Sequence, residues 1–137
     1  MSALVVDVAN VVGSRPDGWW RDRAGATSRL LARLATLAGR RLTGPDGSEL
    51  TCTEVVAVVE GQARDVPAPD GVAVVRAAGS GDDALSESAA QRAADGTPLL
   101  VVTADRGLRA RLPAGVRVAG PGWLLARLDE VEGVSSA

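Results

Sequence analysis

The strongest structural signal in this sequence is the stretch PLLVVTADRGLRAR at residues 98–111. Its first part, Pro98–Thr103, is the most hydrophobic run of the chain and predicts a strand. Because this run is apolar from Pro98 to Val102 rather than alternating, the strand is expected to be buried on both faces of a sheet. Ala104 and Asp105 follow, and Arg106–Arg111 predicts a short helix. A buried strand that leads directly into a helix is typical of α/β folds.

Four more apolar runs predict strands, at Ala3–Val8, Val55–Val59, Val72–Val75 and Val116–Ala119. Helical patterns separate them, at about Arg21–Arg40, Ala84–Asp95 and Gly120–Leu128. Leucines recur at spacings of three and four in the first of these helices, which gives it one apolar face. The alternation predicts an α/β fold with a mainly parallel sheet flanked by helices.

The length of 137 residues predicts one domain, at 1–132, with a frayed tail at 133–137. Gly13–Arg23 is expected to be a loop, and Thr43–Glu49 a turn or hairpin tip. The connection between the second and third predicted strands is too short for a full helical crossover.

The composition excludes whole classes of chemistry. All 15 basic residues are arginine, and there is no histidine. Histidine general bases, His–zinc sites, lysine Schiff bases and the P-loop lysine are therefore ruled out. The single cysteine, Cys52, cannot form an internal disulfide and is predicted to be a small apolar filler of the core. An enzyme built on this sequence would use carboxylates, arginine, hydroxyl groups, backbone groups and bound metal.

The expected location is cytoplasmic, and no membrane partner is expected. No apolar run approaches the roughly 18 residues that a membrane span needs. The first apolar stretch has no basic region before it, so no signal peptide is expected. The net charge of −2 does not exclude nucleic acid, because a local arginine stripe matters more than the total charge.

Acidic residues follow the predicted strands, where ligands bind in open parallel sheets. They are Asp7, Glu60, the pair Asp82 and Asp83, and Asp105. Two carboxylates about 4 Å apart repel by roughly 4 kcal/mol at an effective dielectric constant near 20. A bound Mg²⁺ or Mn²⁺ is the expected counter-charge, because hard cations take carboxylate oxygens. Four of these acids also have an ordinary structural alternative: the aspartates at 82, 83 and 105 suit helix N-caps, and Glu60 suits a solvated strand end. Asp7 differs, because it lies inside an apolar run and a buried carboxylate needs a partner.

Three motifs resemble the NYN-domain family, a branch of the PIN-like nuclease superfamily. They are DVAN at residues 7–10, SGDDAL at residues 80–85 and VVTADRGLR at residues 101–109. The resemblance covers nearly the whole chain in the right order. It implies a Rossmann-like sheet of strand order 3-2-1-4-5 and Mg²⁺- or Mn²⁺-dependent hydrolysis of RNA phosphodiester bonds.

The resemblance also implies roles for individual residues. Asp7, Asp82 and Asp105 match the metal-binding acids of the family, and Asn10 matches the polar partner of the first acid. Asp83 matches a frequent second acid at its position. Glu60 stands where many relatives have aspartate, and its longer side chain indicates a supporting role beside the metal ligands.

Arginines are the expected contacts for RNA phosphates, which they bind in a bidentate manner. Arg29 and Arg33 lie one helical turn apart, and Arg21 leads into the same helix. Arg106 and Arg109 lie just beyond the acids and are placed to bind a substrate phosphate. The alternative for the stripe at 29 and 33 is an ordinary solvated helix face.

Trp19 and Trp20 lie beside Arg21 and suit a platform on which a base stacks. Because the chain has no phenylalanine or tyrosine, at least one of the two is also expected to lie in the core. Trp123 follows Pro121 and Gly122 and is expected to anchor the last helix.

Two other functions remain open on the sequence alone. Residues 79–84, GSGDDA, fit the dinucleotide-binding pattern GxGxx(G/A), with an acid at Asp105 about twenty residues on. However, Asp82 and Asp83 would then stand where the pyrophosphate binds, and they would repel it. The second alternative is a non-catalytic module that binds RNA or protein.

Overall fold

The computed structural model describes residues 2–15 and 17–133. The described residues form an α/β fold. Its strands are β1 (Ser2–Asp7), β2 (Arg41–Thr43), β3 (Glu49–Val59), β4 (Val72–Arg76), β5 (Leu99–Val102) and β6 (Arg117–Ala119). Its α-helices are α1 (Val8–Val12), α2 (Arg23–Ala35), α3 (Gly81–Ala94), α4 (Arg106–Arg111) and α5 (Pro121–Glu132). Two short 3₁₀ turns, Trp19–Arg21 and Gly61–Ala63, lie in the connections.

The sheet is built around β1, which pairs in parallel with β3 on one side and with β5 on the other. β4 pairs in parallel with β3, and β6 pairs in parallel with β5. β2 pairs antiparallel with the first residues of β3. The predicted mainly parallel sheet with flanking helices is therefore confirmed. The parallel β3–β4 pair forms although its connection holds only a 3₁₀ turn, whose Ala63 is buried, together with buried Val66.

The sheet is covered on both faces, which explains the continuous apolar runs of its central strands, Ala3–Val6, Val55–Val59 and Leu99–Val102. Leu4 and Val6 of β1 pack in one hydrophobic cluster, and Ala3 and Val5 pack in another. Helices α2 and α5 contribute five leucines to the first cluster: Leu30, Leu31, Leu34, Leu124 and Leu128. Those of the second come mainly from α3 and α4: Leu85 and Leu108. Cys52 is fully buried in the first cluster, as expected of a core filler, and burial raises the pKa of its thiol to about 11.

Several element boundaries differ from the sequence predictions because polar side chains end or begin the elements. Val8 belongs to α1 and not to the first strand, since the Asp7 carboxylate caps that helix. The first long helix covers only Arg23–Ala35, and it begins where the Asp22 carboxylate accepts a hydrogen bond from the Gly25 amide. α3 begins at Gly81, three residues before the predicted start, with Ser80 as its cap.

The β2–β3 hairpin confirms the turn predicted at Thr43–Glu49 and extends the second predicted strand. The Gly44 amide donates to the Ser48 carbonyl at 2.7 Å and closes the turn. Antiparallel pairing with β2 then starts β3 at Glu49, six residues before the predicted Val55. No helix within residues 2–15 and 17–133 has the length and apolar character of a membrane span. Of the predicted tail, Gly133 ends α5 as its C-cap, and residues 134–137 lie outside the described part.

Candidate active site at the carboxyl edge of the sheet

The acids predicted at the strand ends lie along one edge of the sheet. Asp7 is the last residue of β1, and Glu60 directly follows β3. Asp105 comes three residues after β5, and Asp82 lies in the first turn of α3, which follows β4. Since β1, β3, β4 and β5 are parallel, their carboxyl ends meet at this edge. This edge is where ligands bind in open α/β sheets.

Asp7 is the buried acid of the site. The residue is only 8% exposed, and its Oδ2 accepts a hydrogen bond from Thr103 Oγ1 at 2.9 Å. Its Oδ1 accepts a longer bond of 3.4 Å from the Asn10 amide. Burial raises the pKa of Asp7 above its ordinary value, and the negative charges of Asp82 and Glu60 add to this effect. Two hydrogen bonds therefore do not fully offset the cost of burying this carboxylate.

A hydrogen-bond network connects Asp7 to Asp105. Thr103 Oγ1, which donates to Asp7, accepts from the Asp105 amide at 3.1 Å. Asn10 Oδ1 accepts from the Ala104 amide at 2.8 Å, so the side chain predicted to assist Asp7 fixes the segment that leads to Asp105. The network makes Thr103 a structural member of the site, and sequence reasoning missed it. The sequence does mark Thr103, because it is the only polar residue in the run Pro98–Thr103. In the structure it is fully buried.

Asp82 lies among the other acids. Desolvation raises its pKa, and the negative charges of Asp105 and Glu60 raise it further, while the Arg111 guanidinium acts in the opposite direction. Asp82 is partly buried, and within the described residues its carboxylate receives no hydrogen bond. The site thus contains a carboxylate whose repulsion is not balanced by a bonded protein donor.

Glu60 supports the helix that carries Asp82. Its Oε2 accepts a hydrogen bond from the Gly81 amide at 2.6 Å, at the N-terminus of α3. A Cβ atom at position 81 would lie 2.7 Å from Glu60 Cδ, so any other residue there would require the Glu60 carboxylate to shift. The carboxylate occupies the helix N-terminus, which is where a pyrophosphate would bind in a dinucleotide site. This contact therefore disfavours the dinucleotide interpretation of residues 79–84.

The two remaining acids have structural partners. The Asp83 side chain is 72% exposed and pairs with Arg111 at 2.7 Å, so this candidate catalytic residue is held by a salt bridge. Asp105 caps α4, with its Oδ1 accepting from the Leu108 amide at 3.0 Å. The cap uses one oxygen, and the negative charge of Asp105 contributes to the raised pKa of Asp82.

The side chains at this edge have suitable chemistry for a metal ion, but they are not arranged around one ion position. The donors are all carboxylate oxygens, which is the set that Mg²⁺ and Mn²⁺ prefer. In the described ranges, no three acidic side chains stand in an arrangement that would hold a metal ion. Binding an ion here therefore requires the side chains of Asp7, Asp82 and Asp105 to close around it.

The predicted arginine stripe is divided by the structure. Arg33 is 25% exposed and pairs with Asp129 at 2.8 Å and with Glu132 at 2.7 Å, so it joins α2 to α5 and is not free to bind phosphate. Arg29, Arg21 and Arg106 are exposed. Arg109 donates to the Thr103 carbonyl from Nε and from a terminal nitrogen, at 3.2 and 2.8 Å, and therefore supports the Asp7–Asp105 network.

The tryptophans differ from the prediction in one respect. Trp20 is 53% exposed and Trp19 is half-buried, so the expectation that one of them lies in the core is wrong. Leucine and valine side chains fill the core without them. Trp123 packs against the core partly buried, as expected of an anchor for α5, and its Nε1 donates to the Thr43 carbonyl at 3.0 Å.

The fold and this edge define a mainly parallel α/β protein with carboxylates along the carboxyl edge of its sheet. No family model matches the chain, and no curated protein matches it. Among solved structures, the chain is similar to Rae1 (YacP) from Bacillus subtilis, with a TM-score of 0.72 at 17% identity over 97% of this chain and 76% of that chain. A tryptophan-to-leucine mutant of Rae1 matches with a TM-score of 0.69 at 18% identity, over 97% and 78%. At these identities the likeness shows the fold alone.

Proposed function

We propose that this protein is a metal-dependent endoribonuclease, in which Asp7, Asp82 and Asp105 hold Mg²⁺ or Mn²⁺ and RNA phosphodiester bonds are hydrolysed. The observation that carries the proposal is the convergence of Asp7, Asp82 and Asp105 on the carboxyl edge of the sheet. Burial is the largest cause of the raised pKa of Asp82 and of Asp7, and repulsion adds to it, from Asp105 and Glu60 on Asp82 and from Asp82 and Glu60 on Asp7. A bound divalent cation would relieve both repulsions at once.

Two likenesses support the proposal. The motifs at residues 7–10, 80–85 and 101–109 resemble the NYN-domain family. The chain also shares its fold with Rae1 (YacP) from Bacillus subtilis. The first likeness comes from the order of residues and the second from the path of the backbone.

In this proposal, each residue of the site has a separate role. When bound, the metal would polarise a phosphate oxygen and lower the pKa of a coordinated water. Thr103 and Asn10 would keep Asp7 in position, and Glu60 would keep the α3 N-terminus, and with it Asp82, at the edge. Arg29 and Arg106, both exposed, would bind the RNA backbone.

A non-catalytic RNA-binding module is the second candidate. One observation favours it: within residues 2–15 and 17–133 the acids do not form a ready three-ligand cluster. Such a protein would keep the arginine and tryptophan surfaces and bind RNA without cleaving it.

A matched pair of variants separates the two candidates. Asp82→Asn and Asp83→Asn change adjacent residues of the same helical turn, but only Asp82 lies among the acids, while Asp83 pairs with Arg111. We expect single-stranded RNA to be cleaved with Mg²⁺ or Mn²⁺ and to stay intact in EDTA. Asp82→Asn should reduce the rate at least about 100-fold, whereas Asp83→Asn should keep most of it.

Two results would contradict the nuclease proposal. One is cleavage that continues in EDTA or in the double variant Asp7→Asn, Asp105→Asn. The other is binding of RNA with no cleavage under any metal condition, which would establish the second candidate. Titration of Mn²⁺ into the wild-type and Asp82→Asn proteins gives a readout that does not depend on activity.

A further inference from the structure

We propose that a cavity beside the acids receives one unpaired nucleobase of the bound RNA, so that single-stranded RNA is the preferred substrate. The cavity has a volume of about 360 Å³ and lies between α1, α2 and the two 3₁₀ turns. This inference rests on the proposed function, because it places the RNA strand at the carboxyl edge. It adds the substrate class and the residues that select it.

The cavity adjoins the acidic edge directly. Val8 and Ala9, which line it, are the residues that follow Asp7. Glu60 also lines it, and Glu60 holds the first residue of α3. A nucleotide with its phosphate at the acids would therefore have this cavity within reach of its base.

One wall of the cavity is suited to stacking. Trp19 and Arg23 both line it, and the Arg23 guanidinium lies over the Trp19 ring at 5.3 Å from the centroid. The Trp20 ring meets Trp19 edge-on, with centroids 6.0 Å apart. Trp20 does not line the cavity, so it offers no surface to a ligand there. Flat aromatic and guanidinium surfaces bind bases of any sequence by stacking.

The rest of the lining has the composition of a small-molecule site. Val12, Val59 and Ala63 contribute apolar surface. Gln62 offers an amide, and Glu60 Oε1 accepts no hydrogen bond within the described part of the chain. Mostly apolar walls with a few polar groups match a flat ring whose edge carries hydrogen-bond donors and acceptors.

A second groove shares Val12 with the cavity. Arg15 and Arg29 line it together with one acid, Asp17, and with Arg33, which is paired with α5. The volume of the groove is about 210 Å³. Arg15 and Arg29 are placed to hold the phosphates of neighbouring nucleotides, and a paired base could not leave its duplex to enter the cavity without a cost in stacking and pairing.

The test compares two adjacent tryptophans by RNA affinity in EDTA, where no cleavage is expected. A short fluorescent single-stranded RNA is titrated with wild type, Trp19→Ala, Trp19→Phe and Trp20→Ala, and anisotropy gives each Kd. Trp19→Ala should weaken binding about tenfold, the loss typical of one stacked base. Trp20→Ala should change it little, and Trp19→Phe should restore most of the affinity.

A second arm perturbs the RNA and leaves the protein intact. A single abasic position is moved along the strand, and we expect one position to weaken wild-type binding about tenfold without weakening Trp19→Ala further. Equal effects of Trp19→Ala and Trp20→Ala, no coupled abasic position, or equal affinity for duplex RNA would each overturn the nucleobase site. Coupling without any metal-dependent cleavage would overturn the nuclease proposal and leave the nucleobase site standing.

Discussion

The contact between Glu60 and Gly81 predicts that Gly81→Ala destabilises the protein when Glu60 is present and stabilises it when Glu60 is replaced by alanine. Gly81 is the first residue of α3, and its backbone conformation does not require glycine. Alanine in a helix is more stable than glycine by about 0.5–1 kcal/mol. At position 81, however, the new Cβ would lie 2.7 Å from Glu60 Cδ and 2.8 Å from Glu60 Oε2. The carboxylate would have to move away from the Gly81 amide.

The magnitude follows from the bond that is lost. A hydrogen bond to a charged group contributes about 1.5–3 kcal/mol, and the partial exposure of Glu60 favours the lower end. After subtracting the gain in helix propensity, Gly81→Ala should lower the free energy of unfolding by about 1 kcal/mol. In a Glu60→Ala background, the same change should raise it by about 0.5–1 kcal/mol. The coupling between the two positions is then about 1.5–2 kcal/mol.

Urea unfolding of the wild type, both single variants and the double variant, in metal-free buffer, measures this coupling. Gly122→Ala in α5 is the control, because a Cβ there meets no atom within 4 Å. It should stabilise the protein by about the same amount with and without Glu60. The reasoning fails if Gly81→Ala has the same effect in both backgrounds, since Glu60 would then not be held at the α3 N-terminus.

Two further predictions concern the charged groups. Asp7→Asn should stabilise the metal-free protein near neutral pH by on the order of 1 kcal/mol, because it removes an incompletely compensated buried charge. The raised pKa of Asp7 means that its contribution to stability is fully present below its unfolded pKa near 3.8 and is lost as the pH rises through the folded pKa. The extra stability of Asp7→Asn over the wild type should therefore disappear at about pH 3. Thermal unfolding at several pH values measures this difference, and a difference that stays constant with pH would refute this account. Arg33→Ala should lower stability by about 1 kcal/mol with RNA affinity unchanged, because its salt bridges join α2 to α5. Arg29→Ala, one turn away and exposed, should weaken RNA binding and leave the urea midpoint unchanged. If Arg33→Ala instead weakened RNA binding without lowering stability, Arg33 would bind RNA as the sequence predicted.

Part of the site could be predicted from the sequence, because the end of a strand is a local feature of the chain. Each apolar run ends at a residue that can be identified by inspection, and the acids at 7, 60 and 105 follow such ends. Parallel strands then bring these ends to one edge. The short helix Arg106–Arg111 was predicted with its observed bounds, because Asp105 caps it within four residues.

The hydrogen-bond and salt-bridge partners of these residues could not be predicted from the sequence, because they are distant in the chain. Asp7 and its donor Thr103 are 96 positions apart, and Glu60 and its donor Gly81 are 21 apart. Arg33 had the same helical spacing to Arg29 as any phosphate-binding pair. Only its position opposite Glu132, 99 residues away, showed that it stabilises the fold.

The sequence by itself determined the α/β class, the absence of histidine and lysine chemistry, and the acids at the strand ends, since periodicity and composition are properties of short segments. Only the tertiary structure decided which residues bond the buried Asp7, which acid is paired with arginine and which supports a helix. Burial and hydrogen bonding depend on the side chains that packing brings together, and these come from all parts of the chain. The same packing set Trp19 beside Arg23 in a cavity and left Trp20 outside it.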